Sequence, residues 1–168
     1  MRNPERRRPL LSEGDAVGVV APGFAVRKRA LAGGMEALRR MGFRPIPGPH
    51  LYDREGYLAG RDADRAADLE AMLRDRAVRG IWFARGGFGT ARILGRIPWA
   101  DVAGERKVLV GYSDLTALFA AAGRTRWVCL HGPVVSELGD PSRFHAGSLR
   151  ALLDGDAIEM GIGARNVL

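Results

Sequence analysis

The stretch GYSD, Gly111 to Asp114, sets a serine directly after the apolar run KVLVG and directly before the helical pattern LTALFAAAG. Two uses of such a serine follow from physical chemistry. A tight strand-to-helix turn lifts the hydroxyl out of a sheet as a nucleophile elbow, and the N–H groups at the start of the following helix can hold a developing oxyanion. The other use is a helix N-cap, for which Ser and Asp are both favoured. The stretch departs from the G-x-S-x-G form, because Leu115 stands where the second glycine would be. On pattern alone both readings stand, and the cap is the commoner one.

Two further stretches carry chemistry-bearing residues. RGGFG, Arg85 to Gly89, follows an apolar run and precedes the pattern TARILGRI. Glycines there let the backbone approach a ligand and let N–H groups face an anion, although a tight turn without a ligand is an equal reading. The stretch lacks the Gly-Lys-Ser/Thr ending of a phosphate loop and the spacing of a dinucleotide fingerprint, so a nucleotide is not expected. LHGP places His131 after another apolar run, as a base or, more commonly, as a structural histidine. His50 and His145 read as solvated. The acidic residues show no metal-ligand spacing, and the single cysteine, Cys129, rules out a structural zinc site and reads as a buried, inert thiol.

The elements that must position these residues are legible as alternation. Six short apolar stretches read as buried strands: AVGVVA from Ala16, RPIP from Arg44, GIWFA from Gly80, KVLVG from Lys107, WVCLHG from Trp127 and, weakly, AIEMGI from Ala157. Between them, VRKRALAGGMEALRRMGF puts Ala30, Leu31, Met35, Leu38 and Met41 on one helical face, with Gly42 as the stop and with Gly33 and Gly34 permitting close packing on a sheet. DADRAADLEAMLRD repeats the period through Ala66, Leu69, Met72 and Leu73, and HAGSLRALLDG is a shorter version. Strands alternating with helices predict an α/β domain with a mainly parallel sheet flanked by helices. In such sheets ligands bind beyond the carboxyl ends of the strands. Those ends here read APGFAV, ARGGFGTAR, GYSDLT and LHGPVV. The irregular segment PIPGPHLYDREGYLAGRDAD reads as a loop over a pocket, through its tyrosines and arginines, or, more commonly, as a surface connection.

Length and composition bound the rest. The 168 residues suit one domain, and no apolar run approaches the roughly 20 residues of a membrane-spanning helix. The net charge of +7 raises the question of nucleic acid, but the arginines are interleaved with Asp and Glu, as in GRDADRAADLEAMLRDR, so neither nucleic acid nor membrane is expected as a partner. The basic start MRNPERRRPLLSEGD has no signal-peptide core, which predicts a cytoplasmic protein.

Taken together, GDAVGVVAPG, ARGGFGTARIL, LVGYSDLTALF and HGPVVSEL resemble the N-terminal domain of the LD-carboxypeptidase family, which includes the microcin C self-immunity peptidases. The resemblance implies a flavodoxin-like, class I glutamine amidotransferase-like N-terminal domain. It divides the chain into a basic arm at 1–13, the domain at 14–155 and the start of a linker at 156–168. It further implies a serine peptidase that releases the C-terminal D-alanine of a murein tetrapeptide in cell-wall recycling, with no metal or other cofactor. By resemblance Ser113 is the nucleophile, and the N–H groups of Asp114 and of the Gly86–Gly87 turn form the oxyanion hole. Arg85 and Phe88 are candidate substrate contacts, Phe88 standing where the family commonly has Tyr. The Glu and His that complete the family's triad belong to a C-terminal domain that these residues do not include. The expectation is therefore a nucleophile-bearing half, inactive alone, with an apolar face for the missing domain and a tendency to pair with itself as a homodimer. His131 as a substitute base requires a hydrogen bond to Ser113. The competing readings are a non-catalytic small-peptide-binding module and half of a microcin C-type peptidyl-nucleotide peptidase.

Overall fold

A computed structural model describes residues 8–104 and 106–156. The weak strand expected from Ala157, most of the basic arm and nearly all of the expected linker lie outside the described residues.

Five strands form one parallel sheet: β1 (Ala16–Val20), β2 (Arg44–Pro47), β3 (Val78–Phe83), β4 (Val108–Gly111) and β5 (Val128–His131), in the order β2-β1-β3-β4-β5. The expected α/β class and all five of these strands are present. β3 begins two residues before the expected Gly80, because Val78 is buried and pairs with Ala16. The chain first steps from β1 to β2 on one side, then returns to place β3 on the other. Strand order therefore reverses between β1 and β3, which opens a crevice at their carboxyl ends.

Parallel strands with side chains alternating between faces need helices on both sides. Val17, Val19, Trp82, Val108 and Val110 face α1 (Lys28–Arg40), α6 (Val135–Leu138) and α7 (Ala146–Leu153). Ile81, Phe83 and Leu109 face α2 (Asp62–Arg74), α3 (Thr90–Ile93) and α5 (Thr116–Ala121). Leu31, Met35 and Leu38 are the buried stripe of α1, while Ala30 and Met41 at its ends are only half-buried. Gly42, at φ +88°, ends that helix as expected.

The close approach expected at Gly33 and Gly34 is made to α6 rather than to the sheet. A Cβ on Gly34 would stand 1.7 Å from Val135 O, and Gly33 lies against Gly139. The short helices α4 (Trp99–Val102) and α6 carry too few residues to show a period, and the pattern TARILGRI divides into α3 and a 3₁₀ turn over Leu94–Arg96. Lys107 is buried, its Nζ donating to Asp75 O and Val78 O at 2.5 Å each. It thereby ties the end of α2 to the start of β3. No helix among the described residues is long and apolar enough to cross a membrane.

Candidate functional site

Ser113 sits two residues beyond the end of β4 with φ +66°, the one non-glycine residue with positive φ among the described residues. A side chain in that conformation costs about 1–2 kcal/mol, and such strain collects at functional sites. The local sequence explains the turn. Gly111 leaves no room for a side chain, since a Cβ there would meet Leu115 Cδ1 at 2.4 Å and Phe83 at 3.1 Å. Leu115 is thus driven fully under the turn, and Ser113 is left exposed above it. The hydroxyl caps nothing: among the described residues its Oγ accepts no N–H, and only its carbonyl is engaged, by Thr116 Oγ1 at 2.7 Å. Of the two readings of GYSD, the geometry is that of an elbow.

Capping falls to the neighbouring residue and to another helix. Asp114 Oδ2 accepts from the Thr90 N–H at 2.8 Å, at the start of α3. That bond draws the β4 turn against the RGGFG loop beyond β3. Gly87 and Gly89 have φ of +107° and +137°. A Cβ on Gly86 would lie 3.2 Å from Ser113 Cβ, and one on Gly87 would lie 2.4 Å from Phe24 Cγ. Gly23, beyond β1, is equally confined, between Asp114 Oδ2 at 3.1 Å and Gly87 O at 3.2 Å. Among the described residues no acceptor takes the N–H of Gly86, Gly87 or Asp114. Free donors beside an exposed hydroxyl are what a forming oxyanion needs.

Beneath these loops lies a residue the sequence reading missed. Arg65 on α2 is buried and donates to Pro22 O, to Gly60 O at 3.3 Å and to Gly89 O at 3.1 Å, while pairing with Asp62. Asp62 also binds Arg92 at 3.0 Å, and that pairing holds its carboxyl below the ordinary aspartate value. The signal was present: Arg65 stands four residues before Leu69, on the apolar stripe of α2. Asp68, four before Met72, is the second charged residue on that face.

Ser113 opens onto a cleft of about 880 Å³. One wall is the first turns of α1, with Arg27 and Arg29; the other is α6 and the turn after it, with Glu137, Asp140 and Arg143. Arg85, Gly86, Gly87 and Tyr112 also line it, so of the expected site residues the cleft gathers Ser113, Arg85, Gly86 and Gly87. Phe88 is not in its lining; it is exposed and lies beside Tyr57 at 6.5 Å between ring centroids. Arg85 stands over the Phe24 ring at 5.5 Å and donates to Ala25 O. Tyr112 donates its hydroxyl to Glu137 Oε1 at 2.8 Å, and Arg143 binds the same oxygen at 2.9 Å. The Glu137 carboxylate, and secondarily burial, pushes the Tyr112 phenol above its ordinary value, so it stays protonated as the donor.

The remaining titratable candidates stand apart from the serine. His131 is exposed, its ring beside that of Tyr112 at 5.9 Å, and it makes no hydrogen bond with Ser113. His145 accepts from the Ser148 N–H at the start of α7. Cys129 is half-buried rather than fully buried, and burial pushes its thiol up, away from the reactive thiolate. His50, Asp53 and Asp64 bring ligand atoms within 4.8 Å of one another despite unremarkable spacing in the chain. His50 is occupied by Asp53 at 2.9 Å, and Asp64 by Arg61 at 2.8 Å.

With that geometry in place, comparison with known proteins decides the family. A sequence profile of the LD-carboxypeptidase N-terminal domain matches residues 17–132. The chain belongs to the LD-carboxypeptidase family. It is 44% identical over 135 residues to a Streptomyces coelicolor protein named "Putative carboxypeptidase", covering 77% of this chain and 44% of that protein. A Bacillus subtilis protein named "Probable murein peptide carboxypeptidase" is 39% identical over 127 residues, covering 75% of this chain and 40% of that one. The chain thus spans less than half the length of these LD-carboxypeptidase relatives. Among solved structures, the microcin C7 self-immunity protein in its wild-type apo state superposes with a TM-score of 0.79 at 23% identity, over 94% of this chain and 49% of that one. The latter likeness is one of fold. Muramoyltetrapeptide carboxypeptidase from Oxalobacter formigenes superposes with a TM-score of 0.65 at 25% identity, over 71% of this chain and 40% of that one.

Proposed function

We propose that this chain is the nucleophile-bearing half of a cytoplasmic serine LD-carboxypeptidase that removes the C-terminal D-alanine from murein tetrapeptide. The observation that carries the reading is Ser113 itself: a strained, exposed, non-capping serine beside unpaired N–H groups, in a chain of this family. Its oxygen adds to the carbonyl carbon of the bond before the D-alanine. The resulting oxyanion is held by the Asp114 N–H and by one from the Gly86–Gly87 turn. The serine proton passes to a base and from it to the departing amine, leaving an acyl-serine that water then hydrolyses.

Among the described residues no side-chain base is hydrogen-bonded to the Ser113 hydroxyl, and the carboxylates of the cleft, Glu137 and Asp140, are engaged elsewhere, so the Glu and His of the triad are assigned to a second domain. Without a base a serine hydroxyl is a weak nucleophile. Arg85, on the cleft rim and without a carboxylate partner among the described residues, is assigned to a substrate carboxylate. Phe88 is left as a contact for that second domain, which would cover its exposed ring. An unpaired chain would cover the same face by homodimerising.

The test is release of D-alanine from murein tetrapeptide by the 168-residue chain, alone and mixed with the unmatched remainder of the Bacillus subtilis relative. Release should appear only in the mixture and vanish with Ser113→Ala. Release that survives Ser113→Ala would exclude the assignment.

A further inference from the structure

The two walls of the Ser113 cleft differ in how their charges are used. On the α6 side each charge has a partner: Glu137 is held by Tyr112 and Arg143, and Asp140 accepts from Ser142 N and Oγ at 3.1 and 2.6 Å. On the α1 side Arg27 and Arg29 are exposed to the cleft, and no carboxylate lies within 4.0 Å of either among the described residues. The acid nearest to them along α1, Glu36, is taken by Arg39 and Arg40 at 3.4 and 3.8 Å. Arg85, across the floor, also has no acidic partner among the described residues.

Several guanidiniums without carboxylate partners around one concave site concentrate positive potential there and favour an anionic ligand. The first turn of α1 makes the imbalance larger, since it holds no acidic residue where the helix dipole favours one. By contrast, α2 begins with Asp62 and Asp64. We propose that Arg27 and Arg29 are specificity-determining residues that bind carboxylates of a polyanionic peptide laid along α1 with its scissile carbonyl at Ser113. This deepens the peptidase reading and rests on it. A guanidinium offers two parallel N–H donors to a carboxylate, so the pair selects peptides carrying free carboxylates over amidated ones.

The experiment is calorimetric titration of the Ser113→Ala chain, which binds without turnover. The ligands are murein tetrapeptide and the same peptide with its carboxylates converted to primary amides. The tetrapeptide should bind about tenfold or more tightly than its amide, as expected for charge-assisted pairs. Replacing both Arg27→Gln and Arg29→Gln should remove most of the tetrapeptide's advantage over the amide, the remainder being held by Arg85, and leave binding of the amide unchanged. Arg27→Lys with Arg29→Lys should keep part of the preference, because charge remains but the fork is lost. Equal binding of the two peptides by the parent chain overturns the inference and leaves the peptidase reading intact. So does an equal loss of both peptides in the Gln variant, which would indicate a general lesion. Failure to bind either peptide removes the peptidase reading, and the inference falls with it.

Discussion

Asp114 Oδ2 lies 2.8 Å from the backbone nitrogen of Thr90, so the residue after the elbow serine is fastened to the first turn of a different helix. The elbow and the glycine loop are thereby one unit, held by a cap that crosses from β4 to α3. Replacing Asp114 by Ala should cost about 1 kcal/mol, the usual value of a lost helix cap. Asn, which retains an accepting oxygen, should recover most of it. Urea unfolding of the two variants measures the difference. In the reconstituted enzyme Asp114→Ala should also lower kcat more than it raises KM, because in the proposed mechanism the donors it loosens act on the transition state.

Ser113 holds a left-handed backbone that glycine adopts freely, which separates stability from chemistry at this position. Ser113→Ala removes the hydroxyl and keeps the strain. Ser113→Gly removes both, and should be more stable than the Ala variant by about 1 kcal/mol even after the extra chain entropy of glycine. Both should be catalytically dead in the reconstituted enzyme. Thermal unfolding of the pair checks the order; an Ala variant as stable as the Gly variant would mean the elbow is unstrained.

Much of this was legible in the chain. Alternating apolar runs and helical stripes gave the parallel sheet, and the rule that ligands bind at strand carboxyl ends pointed to GYSD and RGGFG. Whether Ser113 was a cap or an elbow was not legible, because both uses favour Ser before a helix. Its φ, the absence of a cap bond to its hydroxyl among the described residues and the diversion of Asp114 to Thr90 separate them. The α6 helix was hidden by its four residues, and with it the wall that carries Glu137. Arg65 and Asp68 were hidden by their charge: a stripe read for apolar residues passes over them, although both occupy its buried positions.

Arg65 accordingly carries a sharp expectation. Its guanidinium satisfies the carbonyls of Pro22, Gly60 and Gly89, which belong to three separate loops. Arg65→Met fills similar volume but leaves buried acceptors and Asp62 without this partner. Loss of one side of such a buried charged network costs roughly 3–5 kcal/mol. Lys should rescue little, since one ammonium cannot span three carbonyls and a carboxylate. Chemical denaturation measures the loss, and a Met variant within 1 kcal/mol of the parent, well below that range, would show the loops to be held by other means.

Gly34 tests the contact between α1 and α6, which joins the two walls of the cleft. A Cβ there would stand 1.7 Å from the Val135 carbonyl, and that acceptor is backbone, so it cannot rotate away. Gly34→Ala therefore pushes α6 off α1, against the usual gain in helix propensity of about 1 kcal/mol. The overpacking should win, with a net loss of about 1–3 kcal/mol in urea unfolding. Gly95→Ala, where a Cβ meets nothing within 4 Å, is the neutral comparison.

Asp68 makes the stability of the chain depend on pH in a direction opposite to most carboxylates. It is buried, and desolvation raises its pKa above the ordinary 3.8, partly offset by the His50 N–H it accepts at 2.9 Å and by the His50 charge. A folded-state pKa above the unfolded one favours the protonated fold. Its contribution is full below the ordinary aspartate value and is lost as pH rises from there through the raised folded value. His50, Asp53 and Asp64 are the other charged groups that act on it, the two acids pushing its pKa further up. Asp68→Asn keeps an oxygen for the His50 N–H and removes the ionisation. At neutral pH the Asn variant should be as stable as the parent or more so, and its advantage should shrink on acidification towards the ordinary aspartate value. Urea midpoints across that range decide it: a variant less stable at neutral pH would show that the Asp68 carboxylate is held by more than one backbone N–H.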